Sequence, residues 1–247
     1  SILIVSWNVR ELLRACLLSI ARATRALPGQ SSLRTLGPES AAPAPRPTGP
    51  PAPPRRGKAR TQVARTPTSR PPALEVIVVD NASSDGAVEM ITAEFPWVRV
   101  AANSENLGFT RANNQAFALS SGEYVYFLNP DTELMSDRLH GDSLHMLYAA
   151  VRANPDVALA GPQLRYADNS PQVSTRRFPT PLSGFFESTW LARFWRGNPW
   201  ARALHMADWQ VGFTHDVDWV VGAAMLARRT ALCEAMDDGP FRGPFDE

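Results

Sequence analysis

The sequence predicts an α/β fold, with one mostly parallel central sheet and helices on both faces. Three observations predict it. Short, β-branched apolar runs recur at 1–5, 74–79, 98–102 and 123–128, each of strand length. Stretches with helical spacing lie between them, and strand–helix alternation argues for parallel pairing. The runs are apolar almost throughout rather than alternating, as strands covered on both faces are.

The elements follow in order. After the strand at 1–5, Asn8 is a candidate helix N-cap, with Glu11 three residues on as its reciprocal partner. Val9, Leu12, Leu13, Cys16, Leu17 and Ile20 then fall on one helix face. From 30 to 72 the character changes. This segment holds half of the chain's 22 prolines, mixed with Ala, Gly, Ser, Thr and Arg. It has no apolar period and cannot bury enough surface to offset its ordering entropy, so it is expected to be a disordered, Pro/Arg-rich insertion. Order resumes with the strand at 74–79, a short helix at 87–95 and the strand at 98–102. A helix at 109–120 has Ala112, Ala116 and Phe117 inward, and the strand at 123–128 follows. Beyond Asp131 the expected elements are a helix at 144–153, a short strand at 157–160, a Gly161-Pro162 turn and an aromatic-rich stretch at 178–219. A strand at 218–227 and a short helix close the chain. No repeat and no linker past residue 73 divides it, so a single domain spanning 1–247 is expected.

Composition narrows the function classes. A net charge of +1 gives bulk electrostatics no hold on nucleic acid. Cys16 and Cys233 match no metal or redox spacing and are expected to be buried apolar residues in a reducing compartment. The longest late apolar run, 219–227, is about half of a bilayer span, and no secretory leader is visible. A cytoplasmic chain is expected, with peripheral contact on the inner face of the plasma membrane. Phe185, Phe186, Trp190, Phe194 and Trp195 are the candidate amphipathic surface for that contact, against the plainer reading of lid and core packing. The chain opens on Ser1 inside a strand and stops at Glu247 without a helix end, so both ends are expected to be cut.

In open α/β sheets, ligands bind beyond the carboxyl ends of the strands. Those ends are polar here: Ser6-Trp7-Asn8, Asp80-Asn81-Ala82-Ser83-Ser84-Asp85-Gly86, Asn103-Ser104-Glu105-Asn106-Leu107-Gly108-Phe109, and Asn129-Pro130-Asp131-Thr132-Glu133. Asp and Asn side chains can hydrogen-bond a nucleobase edge and ribose hydroxyls. A lone carboxylate would repel a diphosphate, so Asp131 implies a bridging divalent cation, Mg²⁺ or Mn²⁺, whose other ligands are phosphate oxygens and waters. Each segment by itself also reads as an ordinary turn or N-cap.

Taken together, these segments resemble the successive signatures of family 2 glycosyltransferases, in the rhamnosyltransferase-like branch. Asn113-Asn114, Arg176-Arg177-Phe178-Pro179-Thr180, 218–226 and Phe245-Asp246-Glu247 continue the resemblance. It implies a GT-A fold and an inverting transfer of a sugar, with rhamnose suggested, from a nucleotide-diphosphate donor to an acceptor hydroxyl. The acceptor class implied is a saccharide or a lipid-linked sugar, in the synthesis of cell-surface polysaccharide or glycolipid. It assigns Ser6, Asn8, Asp80, Asn81, Asn106 and Gly108 to the nucleotide. Asn129, Val221, Gly222 and Ala223 go to the donor and acceptor pocket, and Asp131 to the metal. Arg177 is placed either on a phosphate or in a surface ion pair. The family's catalytic base would lie beyond Glu247, and the nearby carboxylates Asp218, Asp246 and Glu247 are not assigned to that role. A sugar-nucleotide pyrophosphorylase needs a glycine-rich loop after the first strand, and 6–14 has no glycine. A non-catalytic nucleotide-sugar binding module is the alternative reading.

Overall fold

The computed structural model describes residues 1–25, 74–137, 141–189, 199, 214–237 and 243–245. The insertion expected at 30–72 lies outside them. Along the chain the elements are β1 (Ile2–Ser6), α1 (Arg10–Arg25), β2 (Val76–Asp80), α2 (Ala87–Glu94), β3 (Val98–Ala102), α3 (Gly108–Leu119) and β4 (Tyr124–Leu128). A small hairpin, β5 (Ser136–Asp137) and β6 (Gly141–Asp142), leads into α4 (Ser143–Ala153) and β7 (Leu159–Ala160). Then come β8 (Leu164–Arg165), β9 (Pro171–Gln172), β10 (Thr175–Arg176), α5 (Pro181–Ser188), β11 (Trp219–Val220), β12 (Ala224–Arg228) and α6 (Arg229–Asp237).

The main sheet has the order β3-β2-β1-β4-β12-β7. Strands β1 to β4 are parallel, and β12 alone runs antiparallel to both of its neighbours. The chain therefore steps outward from β1 through β2 to β3, then crosses back to β4 on the other side of β1. That reversal places a topological switch point between β1 and β4, where two successive connections leave in opposite directions and a crevice opens above the carboxyl ends.

Side chains alternate across the sheet and meet helices on each face. One core joins Ile2, Ile4, Val76, Val78, Tyr126 and Leu128 to Leu13, Cys16, Leu17 and Ile20 of α1, Met90 and Ile91 of α2, and Leu144 and Val151 of α4. The other joins Leu3, Ile77, Val79, Val125 and Phe127 to Ala112, Ala116 and Phe117 of α3, with Leu232 and Met236 of α6 alongside. Full burial of each Leu or Ile is worth roughly 2–3 kcal/mol, so β1 and α1 form a stiff base under the strand ends. Burial pushes the Cys16 thiol up to about 12, which leaves it a neutral core side chain.

Four expectations need correction. Asn8 does not cap α1: its backbone is left-handed (φ 53°), and the Arg10 N–H donates instead to Asp85 Oδ2 at 2.8 Å. The cap thus comes from the loop after β2, and Glu11 pairs with Arg10 and Arg14 rather than closing a capping box. Leu12 is exposed, because the buried stripe of α1 is narrower than its apolar content suggests. The strand expected at 218–227 is two strands broken at 221–223: β11 pairs antiparallel with β10, and β12 with β4. Cys233 is half-buried, unlike Cys16.

Candidate functional site

The first and second strands end side by side, with Ser6 in register with Asp80. Partners in a parallel pair point to the same face, and here it is the α1 face, the side taken by Ile2, Ile4, Val76 and Val78. Both side chains are buried, Ser6 at 0% and Asp80 at 1% exposure. The Ser83 N–H donates to Asp80 Oδ2 at 2.8 Å. The other carboxylate oxygen, Asp80 Oδ1, is buried without a partner, and so is Ser6 Oγ. A buried polar atom left unpaired costs of order 1–3 kcal/mol. Each such atom calls for an explanation, and a bound ligand or an ordered water supplies one.

The loop after β2 is held down from β1. Asn8 donates its N–H to Ser83 Oγ at 2.9 Å, and its Oδ1 accepts from the Ser84 N–H at 2.8 Å. Ala82, like Asn8, is left-handed, with φ 61°. For alanine this costs roughly 1–2 kcal/mol, and strain of this kind concentrates at functional sites.

On the other flank of β2, three carboxamides link the strand ends to α3. Asn103 Nδ2 donates to Asn81 Oδ1 and to Gln115 Oε1, and Gln115 Nε2 donates back to Asn103 Oδ1, all at 3.0 Å. Asn81 Nδ2 donates to the Gly108 carbonyl at 3.1 Å. Gly108 begins α3 with φ 80°, a conformation that favours glycine, and its N–H donates to Asn106 Oδ1 at 2.9 Å. Both ends of the Asn81 carboxamide are therefore engaged inside the protein, while Asn106 is exposed. Asn103 and Gln115 were not among the site residues expected from sequence. Gln115 lies mid-helix, and nothing local marks it. Trp7, 56% exposed beside Ser6, was visible only as part of the first motif.

Across β1, the residues after β4 form a tight turn. The Asn129 carbonyl accepts from Thr132 Oγ1 at 2.7 Å. The Leu134 N–H donates to Ser19 Oγ of α1 at 2.9 Å, which docks the loop on that helix. Glu133 faces Arg22 at 3.7 Å. Asp131 is exposed and has no ion-pair partner among the described residues. The Asn129 N–H donates to the Ala223 carbonyl at 2.8 Å, and Ala224 pairs with Leu128. So 221–223 enters β12 over the same edge. Ser6, Asn8, Asp80, Asn81, Gly108, Asn129, Asp131, Val221, Gly222 and Ala223 all lie along the carboxyl edge of β2, β1 and β4, at the switch point.

Phe245 packs edge-on against Phe109 and Phe127, at 5.7 and 4.9 Å between ring centroids. The Asn114 carboxamide pairs with both its N–H and its carbonyl at 3.0 Å. The expected carboxylates Asp246 and Glu247 lie outside the described residues, as do Trp190, Phe194 and Trp195. Asp218 is occupied by the Phe178 N–H at 2.8 Å.

The family model for glycosyl transferase family 2 matches residues 59–226, more than half of the chain. The chain belongs to that family. Its sheet, parallel except for β12, is the GT-A arrangement expected of a family 2 domain. Two Mycobacterium tuberculosis proteins, both N-acetylglucosaminyl-diphospho-decaprenol L-rhamnosyltransferases, are 29% identical over 191 residues, covering 73% of this chain and 57% of theirs. The chain thus spans little more than half the length of these curated relatives. Solved structures are similar at lower identity. S. aureus TarS 1-349 in complex with UDP is 13% identical with a TM-score of 0.48, covering 96% of this chain and 48% of that one. The Pyrobaculum calidifontis mannosyltransferase PcManGT, in complex with GDP-Man and Mn²⁺, is 16% identical with a TM-score of 0.42, covering 95% and 45%. The family match begins only after β1 and α1.

Proposed function

We propose that residues 1–247 form one glycosyltransferase domain that binds a nucleoside-diphosphate sugar at the carboxyl edge of β2, β1 and β4. Its product would be an inverted glycosidic bond to an acceptor hydroxyl. One observation carries this reading: Ser6 and Asp80, in register at adjacent strand ends, each present a buried oxygen without a partner, an acceptor set suited to the N–H and hydroxyl groups of a nucleoside. Asn81, Asn103 and Gln115 would set the position of the α3 N-terminus, and Trp7 would border the base. Asn129 and 221–223 would border the sugar. A rhamnose donor and a diphospho-lipid acceptor are taken from the name of the mycobacterial relatives.

The residues at Asp131 fit a divalent cation. No group of three or more His, Cys, Asp or Glu side chains among the described residues makes an all-protein cage. Among the described residues Asp131 makes no ion pair, and Asn129 lies two residues before it. One carboxylate with water and phosphate completing the shell is the usual Mg²⁺ or Mn²⁺ pattern. When bound, the cation would offset charge on the departing diphosphate. The remaining steps belong to the chain: hold the base at Asp80, hold the sugar under 221–223, and admit the acceptor hydroxyl opposite the diphosphate. No carboxylate here is assigned as the base. Asp131→Asn is expected to abolish an Mn²⁺-dependent gain in affinity for thymidine diphosphate or UDP of about tenfold, about 1.4 kcal/mol. Calorimetric titration with and without Mn²⁺ checks this; an equal gain in the variant removes Asp131 from the metal site.

Peripheral membrane contact is the second part of the reading. No described helix is long and apolar enough to cross a membrane. Phe178, Leu182, Phe185 and Trp219 are exposed large apolar side chains on α5 and around the β10–β11 pair, a composition suited to the interface of a bilayer. Flotation with anionic liposomes is expected to carry the chain upward, and replacing Phe178 and Leu182 with Ser to reduce that fraction. A chain that stays with the soluble fraction removes the membrane contact.

A further inference from the structure

Among the described residues, one charged side chain is stacked on an aromatic ring with its hydrogen-bonding capacity unused. Arg176 on β10 lies opposite Trp219 on β11. Its guanidinium lies over the indole, 5.5 Å from the ring centroid. Its Nε is buried without an acceptor, and among the described residues the guanidinium has neither an ion pair nor a hydrogen bond. The carboxylate next to Trp219 in sequence, Asp218, accepts from the Phe178 N–H. The indole N–H donates to the Arg177 carbonyl at 3.3 Å, which steadies the ring on which Arg176 rests. A stacked guanidinium is a rigid fork of donors matched to phosphate oxygens, and a partly buried one without an acceptor bears a desolvation cost that an anion would offset.

Its place relative to the strand ends follows from the chain path. The Val221 N–H donates to the Ser174 carbonyl at 2.9 Å, extending the β10–β11 pairing by one step. The chain then enters β12 through Ala223, whose carbonyl accepts from the Asn129 N–H. Ala223 lies four residue steps after Trp219, at most about 14 Å of extended chain. Arg176, opposite Trp219, is thus tied by one short segment to Ala223, which Asn129 holds at the carboxyl end of β4.

We propose that Arg176 is a diphosphate-binding residue at the candidate site. The inference rests on the transferase reading, which supplies two diphosphates: that of the nucleotide donor and that of a lipid-linked acceptor. UDP and thymidine diphosphate stand for the first, and farnesyl diphosphate for the second. Affinities for all three, with Mn²⁺ present, are measured by calorimetry for the wild-type chain, Arg176→Gln and Arg176→Lys, with near-ultraviolet circular dichroism as the folding check. Arg176→Gln is expected to weaken one probe at least about tenfold, and the lysine variant, which keeps the charge but loses the fork, to fall between. The probe that responds names the source. If wild type binds UDP or thymidine diphosphate, and both Arg176→Gln and Arg176→Lys bind each probe within about twofold of wild type, the assignment to Arg176 is overturned and the transferase reading stands. If wild type binds farnesyl diphosphate through Arg176 but binds neither UDP nor thymidine diphosphate, the donor reading falls and the assignment stands. A wild-type chain that binds none of the three overturns both.

Discussion

Asp80→Asn is expected to lower affinity for a nucleoside diphosphate about 100-fold, about 3 kcal/mol, while leaving the free protein as stable as before or more so. The two signs have one cause. Asp80 is buried, with one carboxylate oxygen taken by the Ser83 N–H and the other without a partner. An asparagine can keep the Ser83 bond with its oxygen. It then presents an NH₂ where a nucleoside N–H or hydroxyl would need an acceptor, so donor meets donor. In the free protein the same change removes a buried charge that lacks half of its hydrogen bonds, which relieves a desolvation cost. Thermal melting and calorimetric titration read the two effects separately. A variant with a lower melting temperature and unchanged affinity would make Asp80 a structural residue of the β2 turn.

Arg228→Met is expected to do the reverse: about 3 kcal/mol of stability is lost and the melting temperature falls by about 10 °C, with nucleotide affinity unchanged. Arg228, the last residue of β12, donates to the Val157 carbonyl at 2.8 Å, the Asn154 carbonyl at 3.0 Å, Tyr124 Oη at 2.9 Å and the Val151 carbonyl. Its guanidinium also lies 5.3 Å from the Tyr124 ring centroid. It thereby satisfies carbonyls at the end of α4, where a helix leaves its last acceptors without internal donors. Methionine can fill the volume but donates nothing. Arg228 pairs with Tyr124 at the start of β4, the opposite end of the sheet from the candidate site, which is why binding is expected to survive. Chemical denaturation gives the stability, and a loss under about 1 kcal/mol would show that water replaces these bonds without cost.

The four parallel strands β1 to β4 were legible because each is a short apolar run with polar residues at its carboxyl end. Strand β3 matches its expected bounds, 98–102, and β1, β2 and β4 shift by a residue or two. What the sequence hid was pairing at long range. The cap of α1 comes from Asp85, 75 residues away, so the local Asn8–Glu11 pattern pointed to the wrong donor. The run 218–227 gave no sign of a break, because what splits it is the pairing of β11 with 175–176 and of β12 with β4. The candidate site followed the same rule. Its strand-end residues stand in recognisable motifs. The Asn103–Gln115 link and the isolation of Arg176 depend on neighbours that only the fold supplies.

The claim on which the rest depends is that one nucleoside diphosphate sits above β1, between Asp80 and Asp131. A crystal structure of the chain soaked with UDP or thymidine diphosphate and Mn²⁺ tests it most directly. The account predicts the base against Asp80 and Ser6, and anomalous density for manganese within coordination distance of the Asp131 carboxylate. Nucleotide bound at any other edge of the sheet, or an untouched Asp80 in crystals that hold the nucleotide, would contradict it.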